Sequence, residues 1–166
     1  MFESEIKQYW LTKKVEIREE FCRWLSLWNW EWFVTLTFDD AVRNRFGYIS
    51  LTKANSLWQK WIDWLEQYAG NEVDYIRFTE LQKFRGVPHY HALMIRTAEI
   101  RRLSAMDKWN QIAGYSKIVK YDKNLGAGYY VCKYVMKDDG EILFSRNLDK
   151  LKSGLVLPIQ KHFKFV

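Results

Sequence analysis

The tightest constraint on this chain is a hairpin. Two stretches of strand-forming residues, Asp74 to Gln82 and Pro88 to Met94, are separated only by Lys83-Phe84-Arg85-Gly86-Val87. A connection that short, with a glycine in it, lets two strands do one thing, which is fold back antiparallel. Alternate residues of a strand share a face. Ile76, Phe78, Glu80 and Gln82 therefore project together from the first arm. His89 and His91 project together from the second, and Tyr90 between them points the other way.

The rest of the chain supplies elements to cover such a hairpin. Residues 3–29 read as a helix, with Trp10, Ile17, Phe21, Trp24, Leu25 and Trp28 on one arc. Trp32 to Phe38 is an aromatic, β-branched strand stopped by Asp39-Asp40, with Phe33, Thr35 and Thr37 on its second face. A polar loop over residues 39–50 carries Arg43 and Arg45. Residues 52–69 form a second helix with Thr52 as N-cap and Gly70-Asn71 as stop. Residues 97–113 read as a helix through Ile100, Leu103, Met106 and Trp109, and residues 115–121 as a strand. The order from Trp32 is β-α-β-β-α-β, the split pattern of an α+β, ferredoxin-like or RRM-like antiparallel sheet. In that topology the first and third strands lie together at the centre. The histidines then sit on a central strand, on the sheet's open face.

The chain reads as a single domain over residues 1–166, with an accessory N-terminal helix (1–30), a core (31–146) and a C-terminal extension (147–166). A composition of 48% hydrophobic residues with nine Trp supports a buried core. The apolar runs are too short for a bilayer, the acidic start Met1-Phe2-Glu3-Ser4-Glu5 is no signal peptide, and Cys22 and Cys132 suggest no disulfide framework. A cytoplasmic location follows as the expectation. Charge is uneven: residues 1–74 hold 9 Lys+Arg against 12 Asp+Glu (−3), and residues 75–166 hold 17 against 8 (+9). A basic half of that kind favours nucleic acid. Thr35, Thr37, Arg43, Arg45, Arg77, Lys83 and Arg85 are the candidate contacts; Arg77 and Arg85 could instead pair with Glu80.

Neutral imidazoles are common metal ligands. If the Glu80 face of the first arm matches the His89 and His91 face of the second, a carboxylate joins the two imidazoles, with Gln82 as the alternative third ligand. Such a mixed set takes Mg²⁺ or Mn²⁺ when a phosphate completes the shell. Further on, Leu125 to Lys137 reads as a helix ended by Asp138-Asp139-Gly140. Gly128, Val131, Cys132, Val135 and Met136 make its expected buried side. Tyr130, Lys133, Tyr134 and Lys137 make the other, and Tyr129 reads as a packing residue. A phenol is a poor nucleophile at neutral pH unless a cation activates its target.

These three stretches resemble the motifs of the HUH endonucleases, in particular the replication initiator (Rep) proteins of rolling-circle plasmids and single-stranded DNA phages. Phe33-Val34-Thr35-Leu36-Thr37-Phe38 resembles the first motif and His89-Tyr90-His91 the His-hydrophobic-His motif. Tyr130 to Lys137 resembles a two-tyrosine motif, each Tyr followed three residues later by Lys. The resemblance runs from about Trp32 to Lys137. It implies a divalent metal on His89, His91 and Glu80 that polarises a phosphodiester of single-stranded or hairpin origin DNA. Tyrosine attack then gives a 5′-phosphotyrosine link and a free 3′-OH, and religation follows by strand transfer. Tyr134 is expected to make the first cut and Tyr130 the second, with Lys133 and Lys137 neutralising phosphate. No P-loop pattern occurs, so a separate host helicase is implied. A small HUH transposase, often dimeric, and a non-catalytic RRM-like binding module are the alternatives.

Overall fold

The computed structural model describes residues 2–81, 87–135 and 141–149, without the side chains of a few helix residues such as Trp10, Cys132 and Lys133. The elements run α1 (Phe2–Leu25), β1 (Trp32–Leu36), α2 (Leu51–Ala69), β2 (Asp74–Leu81), β3 (Pro88–Ile95), α3 (Arg102–Ile112), β4 (Ser116–Lys120), α4 (Gly126–Val135), β5 (Ile142–Phe144) and α5 (Arg146–Asp149). The sheet order is β4-β1-β3-β2-β5, with every pair antiparallel. β1 and β3 are neighbours at the centre, as the split pattern requires. The added β5 pairs the outer side of β2, an extension the sequence pattern does not announce.

The two faces of the sheet are covered by different helices. On one, Ala54, Leu57, Trp58, Trp61, Ile62 and Leu65 of α2, with Ala105 and Trp109 of α3, pack on Val34, Leu36, Tyr90, Ala92 and Met94. The spacing of the α2 residues places them on a single stripe of the helix. Each such side chain removed from water contributes roughly 1.5–3 kcal/mol. The buried indoles keep partners: Trp61 Nε1 donates to Ala105 O at 2.9 Å and Trp109 Nε1 to Thr37 O at 3.0 Å.

The second face is not open. Ile17, Phe21, Trp24 and Leu25 of α1 and Ala127, Tyr130, Val131 and Tyr134 of α4 cover it, meeting Ile76, Phe78 and Leu93. The cause is a spare apolar stripe. A chain with two amphipathic helices beyond the split pattern uses them on the face the pattern leaves bare.

Several boundaries shift for local reasons. The N-cap of α2 is Ser50, whose Oγ accepts from Lys53 N at 3.2 Å, in place of Thr52. Gly70 closes α2 in the left-handed region at φ 70°. α1 stops at Leu25, not 29: Ser26 to Trp28 form turns, and Trp30 Nε1 takes the Leu25 carbonyl at 2.8 Å. α3 starts only at Arg102, after a turn closed by Ile100 N on Thr97 O, and Leu103 is exposed instead of packed. Gly114 is required between α3 and β4, where a Cβ would lie 2.6 Å from Asp39 N.

Candidate active site

The site is built where three central strands meet α4. The β2–β3 register sets Glu80 opposite His89 and Phe78 opposite His91, and the β1–β3 register sets Thr35 opposite His91. Odd positions of β3 therefore join even positions of β2 on one face. Glu80 faces the histidines, and Arg77 cannot reach it from the other side of the sheet.

His91 is buried and held at both ring nitrogens. Nδ1 lies 3.1 Å from Thr35 Oγ1, and Nε2 lies 3.3 Å from Glu80 Oε2. With Nε2–H donated to Glu80, Nδ1 accepts the threonine hydroxyl. With the opposite tautomer Nδ1–H donates to that hydroxyl and Nε2 presents a lone pair. Two donors on one cation at about 2.1 Å stand ~3.0–3.4 Å apart for octahedral to tetrahedral angles. The Glu80–His91 edge has this spacing. His89 is half-buried beside it and opposite Glu80. Burial holds its imidazole below the ordinary pKa, against the pull of Glu80 and with the help of the Arg43 charge, so it is a neutral donor at pH 7. Among the described residues, no three His, Cys, Asp or Glu side chains form a ready cation-holding group. The donor set thus fits in chemistry and in its Glu80–His91 edge, and His89 must turn in to complete it.

Tyr134 lies over this cluster. Its ring stacks on the His91 ring with centroids 4.3 Å apart and an interplanar angle of 21°, and on Phe78 at 5.8 Å. Burial, then the Glu80 charge, pushes its phenol well above the ordinary range, so it is fully protonated at neutral pH.

Tyr130 has a different setting. Its hydroxyl accepts the Asp122 amide at 3.0 Å, and its ring packs on Phe33 and Tyr121, each at 4.9 Å. The structure does not bring it to the histidines. The expected division of α4 is also reversed. Tyr130 and Tyr134 are 7% and 5% exposed and pack inward, whereas Tyr129 is 69% exposed. Ala127, Tyr130, Val131 and Tyr134 stand at i, i+3, i+4 and i+7, and this is the stripe that meets the sheet.

Beside Tyr134 a cavity of about 430 Å³ is lined by Phe33, Thr35, Lys117, Val119, Tyr129, Tyr130 and Tyr134. Lys117 was missed in the sequence. It is the β4 partner of Thr35, and the alternation in Ser116-Lys117-Ile118-Val119-Lys120 was the available signal.

The other candidates divide. Arg77 is fully buried on the α2 side, stacked at 4.1 Å on the Tyr90 ring and paired with Glu141 at 3.2 Å; that removes it from the nucleic-acid contacts. Arg43 bonds the Phe38 carbonyl and Asp40 and stays close enough for its charge to reach His89. Arg45 is exposed and lies over Phe46 at 4.7 Å. Thr37 donates to Tyr115 O at 3.1 Å. Gln82, Lys83, Arg85, Lys137 and the Lys133 side chain lie outside the described residues.

Fold and site together define an α+β domain with a histidine–carboxylate cluster on a central strand, roofed by a tyrosine. The profile of the replication-associated protein (ORF2) family matches residues 31–139, from the start of β1 past the end of α4. The chain belongs to that family. No curated protein and no solved structure matches it. Among the described residues no helix is long and apolar enough to cross a membrane.

Proposed function

We propose that the chain is a replication initiator endonuclease that cuts single-stranded origin DNA by attack of Tyr134. The supporting observation is the Tyr134 ring stacked at 4.3 Å on His91, itself in contact with Glu80. The phenol oxygen bonds to phosphorus and the bond to the 3′ oxygen breaks. The product is a 5′-phosphotyrosine and a free 3′-OH, which takes up a proton. The reverse step, with another 3′-OH as nucleophile, reseals the strand.

The chain's own groups have separate duties. Phe78 and His91 hold the phenol in plane. Thr35 fixes the His91 tautomer. Lys117 places positive charge in the cavity where a phosphate must sit. Exposed Tyr129 offers a ring for a base. A Mg²⁺ or Mn²⁺ ion held by Glu80, His89 and His91 would polarise the phosphate and favour the phenolate. Tyr130, fixed on the Asp122 amide, acts in this reading as a packing residue and cavity wall, and a second transfer through it would require α4 to shift.

The test is to incubate the protein with labelled single-stranded oligonucleotides and Mn²⁺ and look for an SDS-stable adduct. Tyr134→Phe should form none, Tyr130→Phe should keep it, and His91→Ala should bind DNA without cutting. An adduct that survives Tyr134→Phe would overturn the assignment. A wild-type protein that binds but never forms an adduct would leave the RRM-like binding module as the function.

A further inference from the structure

The largest cavity among the described residues, about 1040 Å³, is not at the tyrosine site. It lies at the opposite end of β1 and β4, and its lining includes Trp30, Trp32, Arg101, Arg102, Lys120 and Lys123. All four cations are exposed, while Trp30 and Trp32 are buried in the floor. The groove is therefore apolar below and basic at the rim.

Its cations are not neutralised. Among the described residues none of the four is in an ion pair with an acid. Arg102 Nη1 donates to the Ile118 carbonyl at 3.4 Å and Lys123 Nζ to the Asn29 amide oxygen at 3.1 Å, both neutral acceptors. The two acids in the lining are turned to other partners. Glu31 Oε2 accepts Thr97 N at 2.6 Å and Thr97 Oγ1 at 2.7 Å, and Asp122 Oδ1 accepts Asn124 N at 2.9 Å. The rim keeps a net positive field with few local counter-charges, the setting in which phosphates displace mobile ions.

The groove also connects to the tyrosine cavity. Edge strand β4 gives Lys117 to that cavity and Lys120 to the groove. Their β1 partners are Thr35 and Trp32, three residues apart, a step of about 10 Å along a strand. A polyanion lying along β4 would meet both lysines in turn.

We propose that this groove is a second nucleic-acid site, holding the single strand that flanks the scissile phosphate. The proposal builds on the nicking reading but is tested by binding alone. Wild type and the triple variant Arg101→Gln/Arg102→Gln/Lys123→Gln, each also carrying Tyr134→Phe, are titrated without metal. Fluorescence anisotropy at several salt concentrations follows a short oligonucleotide that fills only the tyrosine cavity and a longer one that extends past it.

For the longer strand, losing three phosphate contacts should flatten the log–log salt slope by roughly 2 and weaken binding by about 10-fold or more. The short strand should bind both proteins alike. Lys120→Gln/Lys123→Gln, with thermal melts of each protein, provides a second variant in case the triple one misfolds, and Arg101→Lys/Arg102→Lys should restore the slope. An unchanged slope and affinity for the longer strand in a folded variant would overturn the site, and so would a loss seen only with duplex. Absence of a covalent adduct in the wild type would strike the nicking chemistry and leave this binding result standing.

Discussion

The two faces of the sheet are made by the same strands and do opposite things. On the α2–α3 side, the polar groups of β3 are sealed. Tyr90 donates to Asn55 at 2.8 Å, lies on the Arg77 guanidinium, and has its phenol pushed up to about 12 by burial, against the pull of Arg77. On the α1–α4 side, its neighbours His89 and His91 meet a carboxylate, a threonine and a tyrosine beside a cavity. One residue's step along β3 moves from structural polarity to chemical polarity. The difference lies in the covering element. α2 packs with a broad Trp-rich stripe that leaves no space. α4 packs with two tyrosines and small residues, which leave both room and reactive groups.

That contrast can be broken from either side. The largest expected effect is on the site face: Glu80→Gln should slow strand cutting by at least about 10²-fold and weaken Mn²⁺ binding measured by titration calorimetry. The melting temperature should stay close to wild type. A large fall in stability with normal cutting would make the Glu80–His91 contact structural. On the sealed face the signs reverse. Trp61→Ala should cost about 3–5 kcal/mol in denaturant unfolding, with single-strand affinity of the folded fraction unchanged.

Arg77→Met sharpens the same point. It removes a buried guanidinium and leaves Glu141 without its partner, a loss of ~2–3 kcal/mol. Affinity for single strands, and its salt slope, should not move. A flatter slope at unchanged stability would return Arg77 to the nucleic-acid surface.

The smallest effects are in pH. The raised Tyr134 phenol makes its ionised form scarce, so the adduct rate should climb from pH 7 toward 9 and lie flat only above the phenol's pKa. In stability the sign is opposite. A phenol raised in the fold contributes fully below the ordinary value of 10.0, and the contribution is lost as pH climbs above it, so Tyr134→Phe should soften alkaline unfolding. His89 is depressed in the fold. Its contribution is present above 6.5 and lost as pH falls below, and His89→Ala should flatten that acid limb.

Much of this was legible in the residues. The five-residue turn forced the hairpin, alternation put Glu80 on the side of His89 and His91, and the split pattern put β1 beside β3. These are local facts: strand period, turn length and connection rules fix them before any packing occurs. The α4 faces were not legible. Tyrosine, lysine and valine at helical spacing fit two orientations, and the face choice depended on a bare sheet that only the assembled core presents. Arg77 misled for the same reason. A basic residue reads as surface until Tyr90, Trp58 and Glu141, distant in sequence, enclose it.

By itself, then, the sequence determined the order of the strands, their register at the histidines and the set of groups available for chemistry, because each follows from spacing along one or two adjacent segments. Tertiary structure alone decided which tyrosine meets His91, which arginine is lost to the interior, and that a basic groove opens at the far end of β4. Those outcomes turn on contacts between segments tens of residues apart, whose relative placement is set by how whole faces bury their apolar area.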